Sequence, residues 1–119
     1  MLTGDSVSID LPLVVAYQVD GWTALGDPTR RAIIELLADR PRAVGQIAED
    51  LPVSRPAVSQ HLKVLKEAGL VVDRAVGTRR IYQLDPQGVG ALRADLDRFW
   101  TNALAAYQQA VEQSTEENP

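Results

Sequence analysis

Two residue types that often carry protein chemistry are nearly missing from this sequence, which has no cysteine and a single histidine, His61. The lack of thiols excludes disulfides, thiolate metal sites and cysteine nucleophiles, and one imidazole is too few for a histidine-rich zinc site. Long apolar runs are missing as well, because the stretch at residues 11–16 is interrupted by Pro12 and follows no basic segment. We therefore expect neither a signal peptide nor a membrane span, and predict a soluble protein of the cytoplasm.

The composition is otherwise that of one folded domain. Of the 119 residues, 45% are hydrophobic and 24% are charged, which is typical of a globular chain with its own core. The formal net charge is −4. Residues 54–80, however, hold six basic and two acidic residues, a net charge of +4, whereas the remainder holds six basic and fourteen acidic residues, a net charge of −8. A positive block in an acidic chain indicates a surface for a polyanion such as nucleic acid.

The first firm helix prediction follows the pair Asp27-Pro28. Asp27 can cap the N-terminus, and Pro28 suits the first helical position, where a missing N–H costs nothing. Apolar residues then supply one face until Pro41 ends the helix. Upstream, residues 1–20 are predicted to form an N-terminal arm that can include a short helix over residues 11–19.

A helix-turn-helix motif is predicted next. A short helix is expected over residues 44–51, and after the turn at residues 51–53 Ser54 caps a longer helix that ends at Gly69. On a helical wheel this longer helix has an apolar face, which can pack on the two preceding helices, and a polar face. The polar face carries Arg55, Pro56, Ser59, Gln60, Lys63, Lys66 and Glu67.

A β-hairpin follows the helix-turn-helix. Residues 70–74 and 79–84 are β-branched, aromatic or alternating, and the connection at residues 75–78 contains Gly77. The order of elements over residues 21–111 predicts a mainly α fold, a winged helix-turn-helix with a two-stranded β-hairpin wing and a long C-terminal dimerisation helix.

The C-terminal helix is predicted to begin at Pro86 and to end near Val111, followed by a polar tail at residues 112–119. An apolar stripe about five turns long follows one side of this helix. A small helical head has little room to cover such a stripe, so we expect it to form the seam of a homodimer; the alternative is an intramolecular core. The expected interface residues are Leu92, Leu96, Phe99, Trp100, Ala103, Leu104, Tyr107 and Val111.

The polar residues of the helix and hairpin have the chemistry of a DNA-binding surface. In a winged helix-turn-helix the amphipathic helix enters the major groove and the wing reaches the flanking backbone of double-stranded DNA. Arg55 can donate two hydrogen bonds to guanine and Gln60 can pair with adenine, each contact contributing about 1–3 kcal/mol of discrimination. The remaining side chains suit phosphate oxygens. The predicted DNA-binding residues are Ser54, Arg55, Pro56, Ser59, Gln60, Lys63, Arg74, Thr78, Arg79 and Arg80.

Three segments occur in the order and at the spacing of a known family. They are ALGDPTRRAIIELL (residues 24–37), SRPAVSQHLKVLKEAGLV (54–71) and GTRRIYQL (77–84). With their connections they cover roughly residues 22–100, and in them the chain resembles the ArsR/SmtB-type winged-helix transcriptional repressors of bacteria. The resemblance implies a homodimer that binds a partly palindromic operator near its own promoter and represses transcription.

The resemblance also implies roles for individual residues. The wing would be formed by residues 77–80, and the residues in or beside the major groove would be Ser54, Arg55, Ser59, Gln60 and Lys63. Metal-sensing members carry cysteines on the preceding helix, where this chain has Ala43, Gly45 and Ala48, or His and carboxylate ligands on the last helix, which has no His here. We therefore expect no metal site of the family's usual kind and no cofactor, and the sequence leaves the effector open.

Two alternatives remain at this point: a winged-helix module that binds an acidic protein, and a ligand- or metal-responsive sensor of the same family. An enzyme is not expected, because His61 lies on the opposite arc of the helix from Ser54 and Ser59 and no oxyanion-type glycine loop accompanies them. For His61 itself, a packed and hydrogen-bonded side chain is favoured over a metal ligand.

Overall fold

The computed structural model describes residues 20–117. The chain divides into two compact units, which we call the head (the described residues up to Val89) and the C-terminal segment (from Gly90 onward). The predicted N-terminal arm at residues 1–19 lies outside the described residues. The elements are α1 (Gly21–Ala24), α2 (Pro28–Asp39), β1 (Arg42–Ala43), α3 (Val44–Glu49), α4 (Arg55–Glu67), β2 (Val71–Val76), β3 (Arg79–Leu84) and α5 (Pro86–Glu117).

Side-chain caps fix the starts of the two main helices of the head. The Asp27 carboxylate accepts a hydrogen bond from the backbone N–H of Arg30 at 3.0 Å, at the start of α2. The Ser54 hydroxyl accepts from the backbone N–H of Ala57 at 3.2 Å, at the start of α4. Both predicted caps are confirmed, because each oxygen satisfies one of the N–H groups that a helix leaves unpaired at its first turn.

The apolar face of α4 lies in the core of the head, as predicted. Val58, Leu62 and Leu65 are fully buried at helical spacing. They share the core with residues from the other elements of the head. These are Ala24, Ile33, Leu37, Ala43, Ile47, Leu70 and Val71.

The predicted hairpin is confirmed as β2 and β3, and the short strand β1 adds a third strand to its sheet. Its order is β1-β3-β2, and both neighbouring pairs are antiparallel. Arg42 of β1 pairs with Tyr82 of β3. Two residues are too few to show a strand periodicity in the sequence. The strand β1 is extended because β3 offers it hydrogen-bond partners. The turn between β2 and β3 is also tighter than predicted: it consists of Gly77, at φ +62°, and Thr78.

Arg42 joins the edge of this sheet to the ends of two helices. Its guanidinium, 7% exposed, donates to Asp50 at 2.7 Å and to Asp39 at 3.1 Å. The two carboxylates are themselves half or more exposed. A nearly buried cation needs such partners, since leaving it unpaired costs several kcal/mol.

Two glycines allow α5 to start directly against the end of α4. Gly69, at φ +80°, ends α4 in the left-handed conformation that favours glycine. A Cβ added to Gly88 would lie 1.7 Å from the carbonyl oxygen of Gly69, so only a glycine fits there. Asp85 caps α5 by accepting from the backbone N–H of Gln87 at 3.0 Å.

The C-terminal helix is longer than the sequence predicts. The expected end lies near Val111, but α5 continues to Glu117, so residues 112–117 are helical rather than a tail. Within this extension the Thr115 hydroxyl donates to the Val111 carbonyl at 3.0 Å. In the range 20–117 no helix combines the length and apolar character needed to cross a bilayer.

Candidate nucleic-acid interface

The outer face of α4 presents the polar residues that the sequence places there. Opposite the buried apolar face, this surface of the helix is open to solvent. The hydroxyl oxygen of Ser54 serves the helix cap, which leaves its O–H free to donate outward. The exposed residues are Ser54, Arg55, Pro56, Ser59, Gln60 and Lys63.

A cleft of about 440 Å³ joins the start of α4 to the wing. Arg55 enters it from the first position of α4, and a Cβ on Gly45 of α3 would lie 3.0 Å from one of the terminal nitrogens of its guanidinium. Gly45 therefore leaves the space that this guanidinium uses. The lining residues are Ala43, Val44, Gly45, Gln46, Glu49, Arg55, Thr78, Arg79 and Arg80.

The cleft brings together four of the predicted DNA-binding residues, Arg55, Thr78, Arg79 and Arg80, although Arg55 lies more than twenty positions from the others. A second recess of about 340 Å³ adjoins Ser54 and Arg55. The predicted residues Ser59, Gln60, Lys63 and Arg74 line neither cavity.

The sequence did not identify the contribution of α3. Gln46 lines the cleft while its side-chain oxygen accepts from the backbone N–H of Ala43 at 2.9 Å. Glu49, one turn further, lines both cavities, as Arg55 does. Nothing in the sequence around α3 distinguishes these residues from an ordinary solvated helix face.

The wing arginines lie on two faces of the hairpin. Because Arg74 pairs with Ile81 and Val76 with Arg79, the side chains of Arg74 and Arg79 share one face. Arg80 pairs with Ala75 and lies on the other face, as does Asp73. The pleat of the hairpin therefore places two of the three wing arginines on one face and the third on the other.

Asp73 binds two of the basic residues of the positive block. One carboxylate oxygen lies 2.9 Å from Nζ of Lys66 on α4, and the other lies 3.2 Å from Nη1 of Arg80 on β3. The hydrogen bond from Lys66 is the main reason that the pKa of Asp73 lies below its ordinary value. The charge of this part of the block is therefore partly neutralised within the fold.

His61, on α4, has the packed side chain that the sequence predicts, and it lies against the start of α2. Its side chain is 23% exposed, and its Nδ1 lies 3.4 Å from Nη1 of Arg30 and 4.0 Å from the carboxylate of Asp27. The backbone N–H of Arg30 is the main group that lowers the pKa of Asp27. Among residues 20–117 no three His, Asp or Glu side chains gather as a metal site would require.

The predicted dimer residues form an exposed stripe on the C-terminal segment. Only Leu92 and Ala103 are half-buried. Exposure is 55% for Phe99, 53% for Trp100 and 60% for Leu104. Leu96, Tyr107 and Val111 are exposed as well. So much exposed apolar and aromatic surface on one stripe indicates a surface that a partner covers.

The chain is similar to known bacterial transcriptional regulators. Residues 27–72 match the family described as bacterial regulatory protein, arsR family. The chain is 69% identical to the HTH-type transcriptional regulator Rv2034 of Mycobacterium tuberculosis over 91 residues, which cover 76% of this chain and 85% of that protein. It is 40% identical to the transcriptional repressor SdpR of Bacillus subtilis over 64 residues, or 54% of this chain and 71% of the repressor.

A solved structure agrees with both matches. The homodimeric winged helix-turn-helix DNA-binding domain Mb0332 of Mycobacterium bovis superimposes with a TM-score of 0.58 at 32% identity, covering 80% of this chain and 86% of that one. The chain belongs to the ArsR family of bacterial transcriptional regulators, and its fold is the winged helix-turn-helix of that family.

Proposed function

We propose that this regulator acts in the cytoplasm as a homodimeric repressor that binds a partly palindromic operator, with α4 in the major groove. The observation that carries the proposal is the geometry of α4. Three buried residues hold this helix in the head, and its polar face is exposed. Its first residue, Arg55, lines a cleft together with Arg79 and Arg80 of the wing. Helices anchored in this way read base edges from their N-terminal residues.

The side chains divide by chemistry into base readers and backbone contacts. Arg55 and Gln60 offer the paired donors, or donor and acceptor, that guanine and adenine edges require. Ser54, Ser59 and Lys63 suit phosphates beside α4, and Thr78 and Arg79 suit phosphates at the wing, with Arg74 on the same face of the hairpin as Arg79.

A dimer formed through the stripe on α5 would set two such helices about one DNA turn apart, so that a two-fold operator is bound at both half-sites. The homodimeric state of the related domain Mb0332 supports this arrangement. A dimer seated on a promoter then represses transcription by excluding polymerase.

The test is a gel shift with the DNA upstream of the chain's own gene and a shuffled duplex, at several salt concentrations. We expect preferential retardation of the upstream DNA. With three or four phosphate contacts per protomer, the slope of log affinity against log salt should be roughly −5 to −7. Equal retardation of both duplexes, or none, would contradict the proposal and favour a protein partner for the polar face of α4.

Two variants separate the roles of the side chains. Arg55→Ala should weaken binding to the operator by about 1–3 kcal/mol and leave binding to shuffled DNA nearly unchanged. Arg79→Ala should weaken binding to both duplexes alike. Identical behaviour of the two variants would show that the division into base reader and backbone contact is wrong.

A further inference from the structure

The carboxylate of Asp73 occupies a distinctive position between the two DNA-facing elements of the head. It lies on β2, and its two oxygens reach Lys66 on the last turn of α4 and Arg80 on β3, at 2.9 and 3.2 Å. We infer that Asp73 is a positioning residue that holds Lys66 and Arg80 away from the phosphate backbone, and so limits the sequence-independent part of DNA binding. The inference rests on the proposed DNA-binding function.

The three side chains of this cluster differ in their exposure to solvent. Asp73 is 8% exposed, whereas Lys66 and Arg80 are each 55% exposed. The carboxylate is therefore nearly covered, whereas about half of each cationic side chain stays open to solvent. If either cation bound a phosphate instead, the nearly covered carboxylate would lose one of these two partners. Removing a partner from a nearly covered carboxylate costs more than breaking a pair in which both groups are exposed.

The charge of Asp73 is also secured. The hydrogen bond from Lys66 and the positive charges of Lys66 and Arg80 keep the pKa of Asp73 below its ordinary value, so the group is a carboxylate at neutral pH. The single negative charge of Asp73 thereby offsets one of the two positive charges before DNA arrives.

Both cations would otherwise be well placed to bind DNA. Lys66 lies on the same polar arc of α4 as Arg55, Ser59 and Lys63, and Arg80 lines the cleft that Arg55 enters. Free cations at these positions would bind phosphate whatever the base sequence, since phosphate contacts carry no sequence information. Arg80, predicted from the sequence to contact DNA, is thus assigned to Asp73 instead.

The experiment measures affinity for the upstream duplex and for a shuffled duplex by fluorescence anisotropy over a range of salt concentrations. Asp73→Asn should raise affinity for the shuffled duplex severalfold. Its salt slope should steepen by about 0.9 for each freed cation that reaches a phosphate, or up to about 2 per protomer. Affinity for the upstream duplex should rise by a similar factor, because the freed cations can contact phosphate on either sequence. A merely structural role for Asp73 predicts loss of affinity for both duplexes.

Glu67→Gln is the matched control. It removes the same charge one residue from Lys66, but no ion pair of Glu67 is found within residues 20–117, so no cation is released. Its salt slope should stay that of the parent. In the Asp73→Asn background, Lys66→Gln should reverse about half of the steepening.

A second set of variants does not depend on the folding of Asp73→Asn. In the parent protein, Lys66→Gln and Arg80→Gln should each leave the salt slope nearly unchanged, because neither cation contacts phosphate. A drop of about 0.9 per protomer for each variant, or an unchanged slope in a folded Asp73→Asn protein, would overturn the inference while specific binding by the parent persists. A parent that does not distinguish the two duplexes would instead contradict the proposed function.

Discussion

The head and the C-terminal segment cover their apolar residues in different ways. In the head, large side chains such as Ile33, Ile47 and Leu62 are fully buried by other elements of the same unit. In the C-terminal segment Phe99, Trp100 and Leu104 are all more than half exposed. The head therefore has a core of its own, whereas the helix beyond Val89 carries exposed apolar surface of the kind that a partner often covers.

The largest expected effect tests the C-terminal side of this comparison. Leu104→Glu should raise the dimer dissociation constant by at least about 100-fold. In a two-fold dimer the substitution occurs twice, and each lost leucine costs about 1–2 kcal/mol of binding free energy. Burying a carboxylate in the interface adds a further cost. Sedimentation analysis would measure the change. Ala105→Glu adds the same side chain about 100° around α5 from Leu104, outside the stripe, and should leave the assembly intact. Equal behaviour of the two variants would show that the stripe is not the seam.

The next prediction tests the head. Gly88→Ala should lower the free energy of unfolding by about 3 kcal/mol, because its Cβ would meet the carbonyl oxygen of Gly69, which is backbone and yields little. Urea unfolding would measure the loss. Gly90→Ala is the control, since no described atom lies within 4 Å of its Cβ, and alanine favours a helix by about 1 kcal/mol. A stable Gly88→Ala protein would mean that α5 does not start against α4 in this way.

A smaller effect is expected at the cleft. Gly45→Ala should displace the guanidinium of Arg55, whose terminal nitrogen would lie 3.0 Å from the new Cβ, and weaken operator binding by about 1 kcal/mol. Stability should change little, because the displaced atoms are the end of a flexible side chain. In an Arg55→Ala background the same substitution should have no further effect on binding. Additive losses in a double-mutant cycle would disconnect the two residues.

The smallest effect appears only in acid. The pKa of Asp27 is below its ordinary value of 3.8, chiefly because the backbone N–H of Arg30 donates to it. Its contribution to stability is therefore complete above that value and is lost as the pH falls through the lowered pKa. Asp27→Asn, which keeps a cap, should make unfolding of the head less dependent on pH in this acid range. Urea unfolding at neutral and acid pH would measure this, and an unchanged dependence would contradict it.

The elements that the sequence predicts correctly depend on local interactions. Asp27 and Ser54 cap helices through N–H groups three residues away, and the apolar spacing of Val58, Leu62 and Leu65 follows from the turn of a single helix. These signals lie within a few residues of one another, so they can be seen without the fold. The family segments add their order and spacing along the chain.

The features that the sequence does not predict arise where distant residues meet. The strand β1 exists because Ala43 meets Ile81, and the tip arginines are divided because the register sets Arg80 opposite Ala75. The pairing of Asp73 with Lys66 depends on how α4 meets the hairpin. No local pattern encodes any of these contacts.

The amino-acid sequence by itself determined that this chain is a helix-turn-helix regulator with a polar recognition face and an apolar stripe on its last helix. It could do so because caps, turns and periodicity act over one or two turns of backbone. Only the tertiary structure decided which cations pair with Asp73, which glycines must stay glycine, and which residues of α3 line the cleft with Arg55. Those outcomes depend on distances between side chains that are far apart along the chain, and only the packing of the elements sets such distances.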